Sequence, residues 1–417
     1  MSIVKTKYSL EDTNLFKSIR LGTKELKNRA VFAPSTRSRS APGDVPSDLM
    51  LKYYEDRSKD NGGLIITEGT FVSKEASGYS GAPGIYTLQQ AKAWKLITDK
   101  IHKHGTFVSC QLWNLGRAAD PFELKERGVP YVAPSVVYPN EDAEIAARKS
   151  GVELQALTLK QIEEFKKAYI EAAKYAINVS NFDYVEIHSA HGYFLDQFLE
   201  PSTNHRTDKY GGSIENRARL VLEIIDSLIK EIGADKIGIR VSPWAEFGGM
   251  KGENESIHPI VGIGYLLSEL QQRANKGNEL AYISIVEPRV NAGFTIPLEN
   301  LKDYKQLKSN LWIYQIWRGN IIRAGAYLTD REDNYQLIRN DVNANNRTLI
   351  AFSRYYTSNP DLVKRLKYGL ELTPYDRPTF YTHTNYHYGD WTFYGQENKS
   401  KPEDEESKKL PVALVSA

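Results

Sequence analysis

The central segment of the chain, residues 182–219, reads FDYVEIHSAHGYFLDQFLEPSTNHRTDKYGGSIENRAR. Residues 184–187, with three apolar side chains out of four, have the composition of a short buried strand. His188, His191 and Tyr193 follow at the point where this strand would end. The segment therefore predicts that two imidazoles and a phenol are grouped at one strand end.

This group of side chains is open to three interpretations. A metal site is one, because imidazole nitrogens bind zinc well and Glu186 shares a strand face with His188, although no third ligand follows at a usual zinc spacing. In the second, the two histidines only satisfy the backbone of a loop. In the third, both imidazoles hydrogen-bond one substrate oxygen while Tyr193 donates a proton beside them.

The overall composition excludes several classes of partner. The chain has 417 residues, 41% of them hydrophobic, and its 54 basic and 52 acidic residues leave a net charge of +2. This balance gives no electrostatic reason to expect nucleic acid or an acidic surface as a partner. No apolar run reaches transmembrane length, so we expect no membrane association.

The cysteine content and the two chain ends predict an intracellular protein. Cys110 is the single cysteine, which excludes an internal disulfide, and residues 1–13 are too polar for a signal peptide. We therefore predict a cytoplasmic location. Residues 396–409 are charged and poor in apolar side chains, a composition typical of disorder. We accordingly divide the chain into a folded domain at 1–395 and a disordered polar tail at 396–417.

A strand-then-helix pattern repeats along the chain. The strand-like runs lie at 29–34, 64–67, 106–112, 184–187, 236–241, 280–286, 320–325 and 347–353. Thr87 with Gln90 and Thr158 with Gln161 have the spacing of helix capping boxes. We predict helices between the strands, among them helices at 265–274, 301–317 and 331–340.

Eight such units predict one architecture. The fold class is α/β, a single closed (β/α)8 TIM barrel, which fits this pattern better than an open doubly wound sheet. A small hairpin around Gly22 precedes the barrel, and long loops at 113–156 and 244–259 follow the third and fifth strands. Both loops follow strand carboxyl ends, on the face where the active sites of such barrels are built.

Polar, small or aromatic residues follow the strands on that face. The exits of the seventh and eighth strands, at 323–326 and 352–354, lie where barrels frequently bind phosphate through backbone N–H groups. Flavin mononucleotide (FMN), with one phosphate and a wide polar ring, matches this layout. Gln111 is placed to pair with the pyrimidine edge of the ring, and Arg240 to stabilise negative charge that gathers on it. Residues 262–264, GIG, resemble the start of a dinucleotide-binding motif but lack its third glycine, so we discount this alternative.

Several further motifs resemble one known family. The central segment contains HSAHGYFLDQFL and NHRTDKYGGSIENR. In barrel order the chain also has APSTR (33–37), IITEGT (65–70), QLW (111–113), IRVSPW (239–244), VEPRV (286–290), IRAG (322–325) and SRYYTSNPDL (353–362). Together these motifs resemble the old yellow enzyme family of flavin-dependent ene-reductases over roughly residues 15–381.

The resemblance implies roles for individual residues. It implies FMN contacts from Pro34, Ser35, Thr36, Gly69, Gln111, Arg240, Gly325, Ala326, Ser353 and Arg354. It implies that His188 and His191 bind the substrate carbonyl and that Tyr193 donates a proton, so that these three residues are catalytic. Trp113, Phe294 and Tyr381 would line the substrate side. Members take hydride from NADPH and reduce the activated C=C bond of α,β-unsaturated carbonyl compounds by trans addition, which implies enones, quinones or phenols as ligands.

Four residues bear on how closely the chain follows the family pattern. The family often has Asn at the position of Ala326 and Gly at that of Ser353, but backbone contacts to a phosphate survive both changes. Ser35 replaces a common apolar residue, which leaves the flavin potential open. His191 is Asn in some members, and an imidazole donates the same hydrogen bond.

Two rival functions stay open beside the ene-reductase. A metal-dependent barrel hydrolase would use His188 and His191 and would contain zinc, although we expect no metal. A flavin- or aromatic-ligand-binding barrel would keep the pocket with little turnover, and the presence of Tyr193 favours the enzyme over it. The sequence leaves open the physiological substrate, the preference for NADPH over NADH and the oligomeric state, for which a homodimer is one option.

Overall fold

Eight parallel strands close into a barrel, as the sequence predicts. The computed structural model describes residues 5–291, the backbone of 294–295, and residues 308–416. The eight strands pair in chain order, each parallel to its neighbours. The eighth strand pairs with the first, with Ala351 opposite Val31, so the ring is closed. The predicted single (β/α)8 barrel is therefore confirmed.

The barrel strands are short, and nearly all of their residues are buried. They span Ala30–Phe32, Leu64–Ile66, Phe107–Trp113, Tyr184–Ser189, Ile237–Val241, Tyr282–Val286, Ile321–Ala324 and Thr348–Phe352. The predicted hairpin pairs Ile19–Leu21 with Lys24–Leu26. Smaller strands are Thr70–Phe71 beside the third barrel strand, Val132–Ala133 with Gln155–Ala156, and Val290–Asn291 with Phe294–Thr295.

Helices surround the barrel and pack through one apolar face. They span Asp48–Ser58, Leu88–Lys103, Leu159–Lys174, Ile214–Ile232, Pro259–Asn275, Ile313–Ile316, Gln336–Asn343 and Leu362–Tyr368, with shorter helices at Phe194–Leu199 and Arg354–Ser358. Both predicted capping boxes form, at Thr87 and at Thr158. In the described residues, no helix is both long enough and apolar enough to cross a membrane.

The hairpin lies at the amino-terminal end of the barrel. The hydroxyl of Tyr184, at the start of the fourth strand, donates to the carbonyl of Leu21 at 2.7 Å. The side chain of Asn320, just before the seventh strand, donates to the carbonyl of Arg20 at 2.8 Å. Because protein covers this end, the carboxyl ends of the strands form the open end of the barrel.

The long loops follow the third and fifth strands, as predicted. The loop after the third strand contains helices Pro121–Arg127 and Glu141–Ser150. The loop after the fifth strand contains two short 3-10 turns, Phe247–Gly249 and Gly252–Asn254. The two loops contact each other, since the Arg117 guanidinium of the first donates to the carbonyl of Gly248 in the second at 2.7 Å.

Two of the predicted helices have the wrong bounds. The helix predicted at 265–274 begins at Pro259, because proline suits the first helical position and the His258 ring accepts from the Ile260 N–H. The segment predicted as a helix at 331–340 contains a 3-10 turn, Arg331–Asp333, followed by the helix Gln336–Asn343. Asn334 breaks the helix with a left-handed φ of 54°.

The helix predicted at 301–317 is wrong for most of its described part. Residues 301–307 lie outside the described residues, and from 308 onward only Ile313–Ile316 is helical. The buried side chain of Asn310 donates to the carbonyl of Val286 at 3.0 Å and accepts from the Trp244 indole at 2.8 Å. These tertiary bonds hold Asn310 in a turn that precedes the helix.

The tail at 396–417, whose composition predicts disorder, makes hydrogen bonds to the rest of the chain in its described residues. The N–H of Leu414 donates to the carbonyl of Pro46 at 3.1 Å, and the Gln89 side chain donates to the carbonyl of Val415 at 2.9 Å. Glu405–Lys408 forms one helical turn. Leu414 also packs against the hydrophobic core, a contact with residues far away in the chain that composition alone does not reveal.

Candidate active site

A cavity of about 490 Å³ opens at the carboxyl ends of the barrel strands. It is lined by Pro34, Ser35, Thr36, Gly69, Gln111, Trp113, His188, His191, Tyr193, Arg240, Gly325, Ala326, Ser353, Arg354 and Tyr381. These are all the predicted site residues except Phe294. The backbone of Phe294 belongs to the strand Phe294–Thr295, but its side chain lies outside the described part of the structure.

The two histidines and the tyrosine meet above the end of the fourth strand. The ring of His188 lies 5.9 Å from that of His191 and 5.0 Å from that of Tyr193, measured between ring centroids. Both contacts are nearly perpendicular, at 79° and 78°. The three polar groups therefore face a shared space, as the sequence predicts.

The loop that carries this group is held by two backbone contacts. The N–H of His191 donates to the Ser242 hydroxyl at 2.7 Å, and the N–H of Gly192 donates to the Asp196 carboxylate at 2.8 Å. His191 itself has a left-handed φ of 56°, which few non-glycine residues adopt. Asp196 and Ser242 thus hold the strained turn that directs His191 toward the cavity.

Burial keeps the site in defined protonation states. It lowers the pKa of His188 and of His191 well below the ordinary value, and the nearby positive charge of Arg240 lowers both further. Burial also raises the pKa of the Tyr193 phenol. At neutral pH the imidazoles are therefore uncharged and the phenol keeps its proton.

A buried carboxylate lies beneath the cavity, between the third and fifth strands. Glu186 accepts a hydrogen bond from the Gln111 side-chain amide at 2.7 Å, and both residues are buried. Burial raises the pKa of Glu186 to about 7, although the positive charge of Arg240 and the Gln111 bond oppose the shift. From the sequence, Glu186 was a candidate only for a metal ligand. In the structure its carboxyl group instead bonds the Gln111 side chain and so holds that side chain in place.

The end of the seventh strand is held by a group of charges below it. The Arg323 guanidinium pairs with Glu287 at 2.7 Å and with Asp341 at 2.7 Å. Arg289 donates to the carbonyl of Gly325 at 3.2 Å. These bonds fix the turn at Gly325 and Ala326, two residues that line the cavity.

Ala326 has a left-handed φ of 51°, which costs a residue with a Cβ about 1–2 kcal/mol. Ala326→Gly is therefore expected to raise the free energy of unfolding by up to about 1 kcal/mol, after the entropy of the glycine is included. Ala324→Gly, in the regular strand nearby, is the matched control and should lower it. Denaturant unfolding of both variants tests this, and an equal loss in the two would contradict it.

Tyr79 and Phe247 are among the aromatic residues of the cavity that the sequence did not reveal as site residues. The ring of Tyr79 lies 6.1 Å from that of Trp113 and 6.2 Å from that of Tyr381, and Phe247 lies 6.3 Å from Tyr193. Neither residue directly follows a strand, so the pattern of residues at the strand exits gives no sign of them. The long loop after the fifth strand was the one available signal for Phe247.

Several buried polar atoms of the cavity residues have no hydrogen-bond partner among the described residues. They include Nε of Arg240, Nδ1 of His188 and Nε1 of Trp113. Buried donors normally have partners, so these atoms point to a polar ligand. FMN fits this set, since its ring offers acceptors to Arg240 and its phosphate suits the backbone at Ala326 and Arg354. The described residues contain no group of three or more His, Cys, Asp or Glu side chains that could hold a metal, so the hydrolase hypothesis has no support.

Gly192 lies between His191 and Tyr193, so a substitution there tests how the loop positions these two residues. Its φ is 70°, and a Cβ there would lie 2.7 Å from the carbonyl oxygen of Phe247. Gly192→Ala is expected to lower the free energy of unfolding by about 1–3 kcal/mol and to weaken binding of phenols in the cavity.

Gly212→Ala is the matched control for this change. Its φ of 81° is similar, but a Cβ there would meet nothing within 4 Å, so it carries the backbone strain without the contact. Thermal unfolding and phenol titration of both variants measure the two effects. If Gly192→Ala and Gly212→Ala lowered stability and phenol affinity equally, the close contact with Phe247 would not be the cause of the effect.

Comparison with known proteins agrees with this site. A family model described as the NADH:flavin oxidoreductase / NADH oxidase family matches residues 14–373. A probable NADPH dehydrogenase of Candida albicans is 49% identical over 384 residues, which are 92% of this chain and 91% of the relative. Enoate reductase 1 of Kluyveromyces lactis is 42% identical over 388 residues, 92% of this chain and 95% of the relative.

A solved structure extends the match to the whole fold. The crystal structure of Old Yellow Enzyme from a Pichia species superposes with a TM-score of 0.91 at 50% identity, covering 97% of this chain and 100% of that one. The family resemblance predicted from the motifs is therefore confirmed. The chain belongs to the NADH:flavin oxidoreductase / NADH oxidase family and is an FMN-dependent oxidoreductase of the Old Yellow Enzyme type.

Proposed function

We propose that the protein reduces the activated C=C bond of α,β-unsaturated carbonyl compounds, with FMN as cofactor and NADPH as reductant. The observation that carries this proposal is the grouping of His188, His191 and Tyr193 at one strand end. Neutral imidazoles that face one space suit a carbonyl oxygen, and a protonated phenol beside them suits a carbon that needs a proton.

The cofactor would be held along the open end of the barrel. Gln111 and Arg240 would hold the polar edge of the ring, and the backbone at Gly325, Ala326, Ser353 and Arg354 would hold the phosphate. Pro34, Ser35, Thr36 and Gly69 would complete its surroundings. When bound, FMN supplies the redox centre that accepts hydride from NADPH and delivers hydride to the substrate.

His188 and His191 would bind and polarise the substrate oxygen. Their lowered pKa values keep them uncharged, so each acts as a neutral hydrogen-bond donor to that oxygen. As negative charge gathers on the oxygen during the reaction, these bonds strengthen. Arg240, buried at the end of the fifth strand, adds positive charge to the same region.

Tyr193 would supply the proton that completes the reaction. Hydride addition at the β-carbon leaves the α-carbon basic, and a phenol with its proton in place is a sufficient acid for such a carbon. The half-buried ring is held edge-on to Trp113, with their centroids 5.0 Å apart. This contact fixes the position from which the hydroxyl donates.

The aromatic side chains that line the cavity suit flat ligands. Trp113, Tyr79, Tyr381 and Phe247 lie around the histidine pair. Phe294 would belong to the same wall. We expect enones, quinones and phenols to bind between these rings. The cytoplasmic location and the homodimer stay predictions.

Isotope labelling with cyclohexenone tests the proposed reaction. In heavy water we expect the saturated ketone to carry deuterium at the α-carbon, because that proton comes from an exchangeable hydroxyl. With NADPH deuterated at C4 of the nicotinamide ring, the carbon that donates hydride, the label should reach the β-carbon. Consumption of NADPH under nitrogen without any saturated ketone would disprove the proposal.

A further inference from the structure

Two serine hydroxyls meet in the cavity wall at the ends of neighbouring strands. Ser35 follows the first barrel strand and Ser353 follows the eighth, and these strands pair with each other. The two Oγ atoms lie 2.7 Å apart, and both residues line the cavity. The pair therefore joins two strand ends at a surface that a ligand would touch.

A third atom sets the direction of this hydrogen bond. The Ser35 hydroxyl lies 3.0 Å from the carbonyl oxygen of Ala33, and a carbonyl can only accept. Both contacts are hydrogen bonds only if Ser35 donates its single proton to the carbonyl of Ala33 and its oxygen accepts the proton of Ser353. Since both protons are used within the protein, the two oxygens present only lone pairs to the cavity.

Ser353 does not use its oxygen as serine usually does at this position. It precedes the helix Arg354–Ser358, where a serine oxygen commonly accepts from an N–H of the first turn. In this described helix the Ser353 side chain makes no such bond. Its oxygen is therefore left able to accept a hydrogen bond from a ligand.

We propose that Ser35 and Ser353 form an acceptor site for one hydroxyl of the FMN ribityl chain. FMN offers few hydrogen-bond donors, namely the imide N–H of the ring and the three ribityl hydroxyls. The imide edge belongs at Gln111, on the third strand. Ser353 directly precedes Arg354 at the phosphate end, so the ribityl chain is the part that reaches the two serines. This inference rests on the proposed function.

Equilibrium dialysis of the holoenzyme, exchanged with four flavins, tests the site. The flavins are FMN and its 2′-deoxy, 3′-deoxy and 4′-deoxy analogues. Loss of one hydrogen bond in Ser353→Ala is expected to raise the Kd for FMN about three- to tenfold. For the one analogue that lacks the partner hydroxyl, the same variant should bind as well as the wild type, because both changes remove the same bond.

Ser358→Ala is the matched control, since Ser358 lies in the same helix and its hydroxyl donates to the carbonyl of Thr373 at 2.9 Å, away from the cavity. It should leave the Kd of all four flavins unchanged. An equal loss for all four flavins in Ser353→Ala, or no loss with FMN, would overturn the inference. A wild-type protein that retains no FMN would contradict the proposed function instead.

Discussion

Tyr193→Phe is expected to slow the step with cyclohexenone by about 10²- to 10⁴-fold, the contribution typical of a positioned general acid. After hydride reaches the β-carbon, the α-carbon must take up a proton before the saturated ketone forms. Burial raises the pKa of Tyr193, so its proton stays in place at neutral pH. Phenylalanine keeps the ring and its packing but has no proton to give. Stopped-flow absorbance of NADPH-treated enzyme mixed with the enone measures the step.

The same variant provides its own control. Bleaching of the yellow colour by NADPH needs no proton from this position, so its rate should stay close to that of the wild type. Quinones and molecular oxygen, which require no protonation at carbon, should also restore the colour at nearly normal rates. Equal slowing of bleaching and of the enone step, or no slowing with the enone, would refute the role of Tyr193.

The double variant His188→Ala, His191→Ala is expected to lose most of its affinity for phenols and enones. Each imidazole contributes about 1–3 kcal/mol if it donates to a buried oxygen, so the double variant should lose more than either single one. FMN should remain bound. Both histidines are uncharged at neutral pH. A plot of phenol affinity against pH should therefore show no inflection from them between about pH 6 and 8. Titration with phenol, followed through the flavin absorbance, measures the affinity.

Two variants control for nonspecific effects of losing a histidine. His205→Ala removes an exposed imidazole and should leave phenol affinity unchanged. His191→Asn keeps a hydrogen-bond donor and should retain more affinity than His191→Ala. If the double variant binds phenols as tightly as the wild type, the pair does not hold the ligand oxygen.

The barrel could be predicted because its signals are local and repeated. The capping threonines Thr87 and Thr158 start helices where expected, and the alternation of strand and helix determines the parallel sheet. The predicted helix bounds were wrong where tertiary contacts override local helix preference, as at Asn310. Composition likewise gives no sign that the tail at 396–417 contacts the barrel, as it does through the bond from the Leu414 N–H to the Pro46 carbonyl.

The site was predictable where its residues follow strand ends. His188, Gln111 and Arg240 lie at strand ends, and the closure of the barrel brings such ends together. Tyr79 and Phe247 could not be found, because their positions depend on the paths of long loops. The bond between Ser35 and Ser353 was equally hidden, although each serine was noted, since they lie 318 residues apart in the chain.

We expect FMN in this cavity to take hydride from NADPH and to deliver it to an enone. Absorbance of the purified holoprotein under nitrogen, with NADPH added first and cyclohexenone second, tests it most directly. We predict a yellow protein that loses its colour with NADPH and regains it with the enone as the saturated ketone forms. A colourless protein that takes up no FMN, or a bleached protein whose colour cyclohexenone never restores, would contradict the claim.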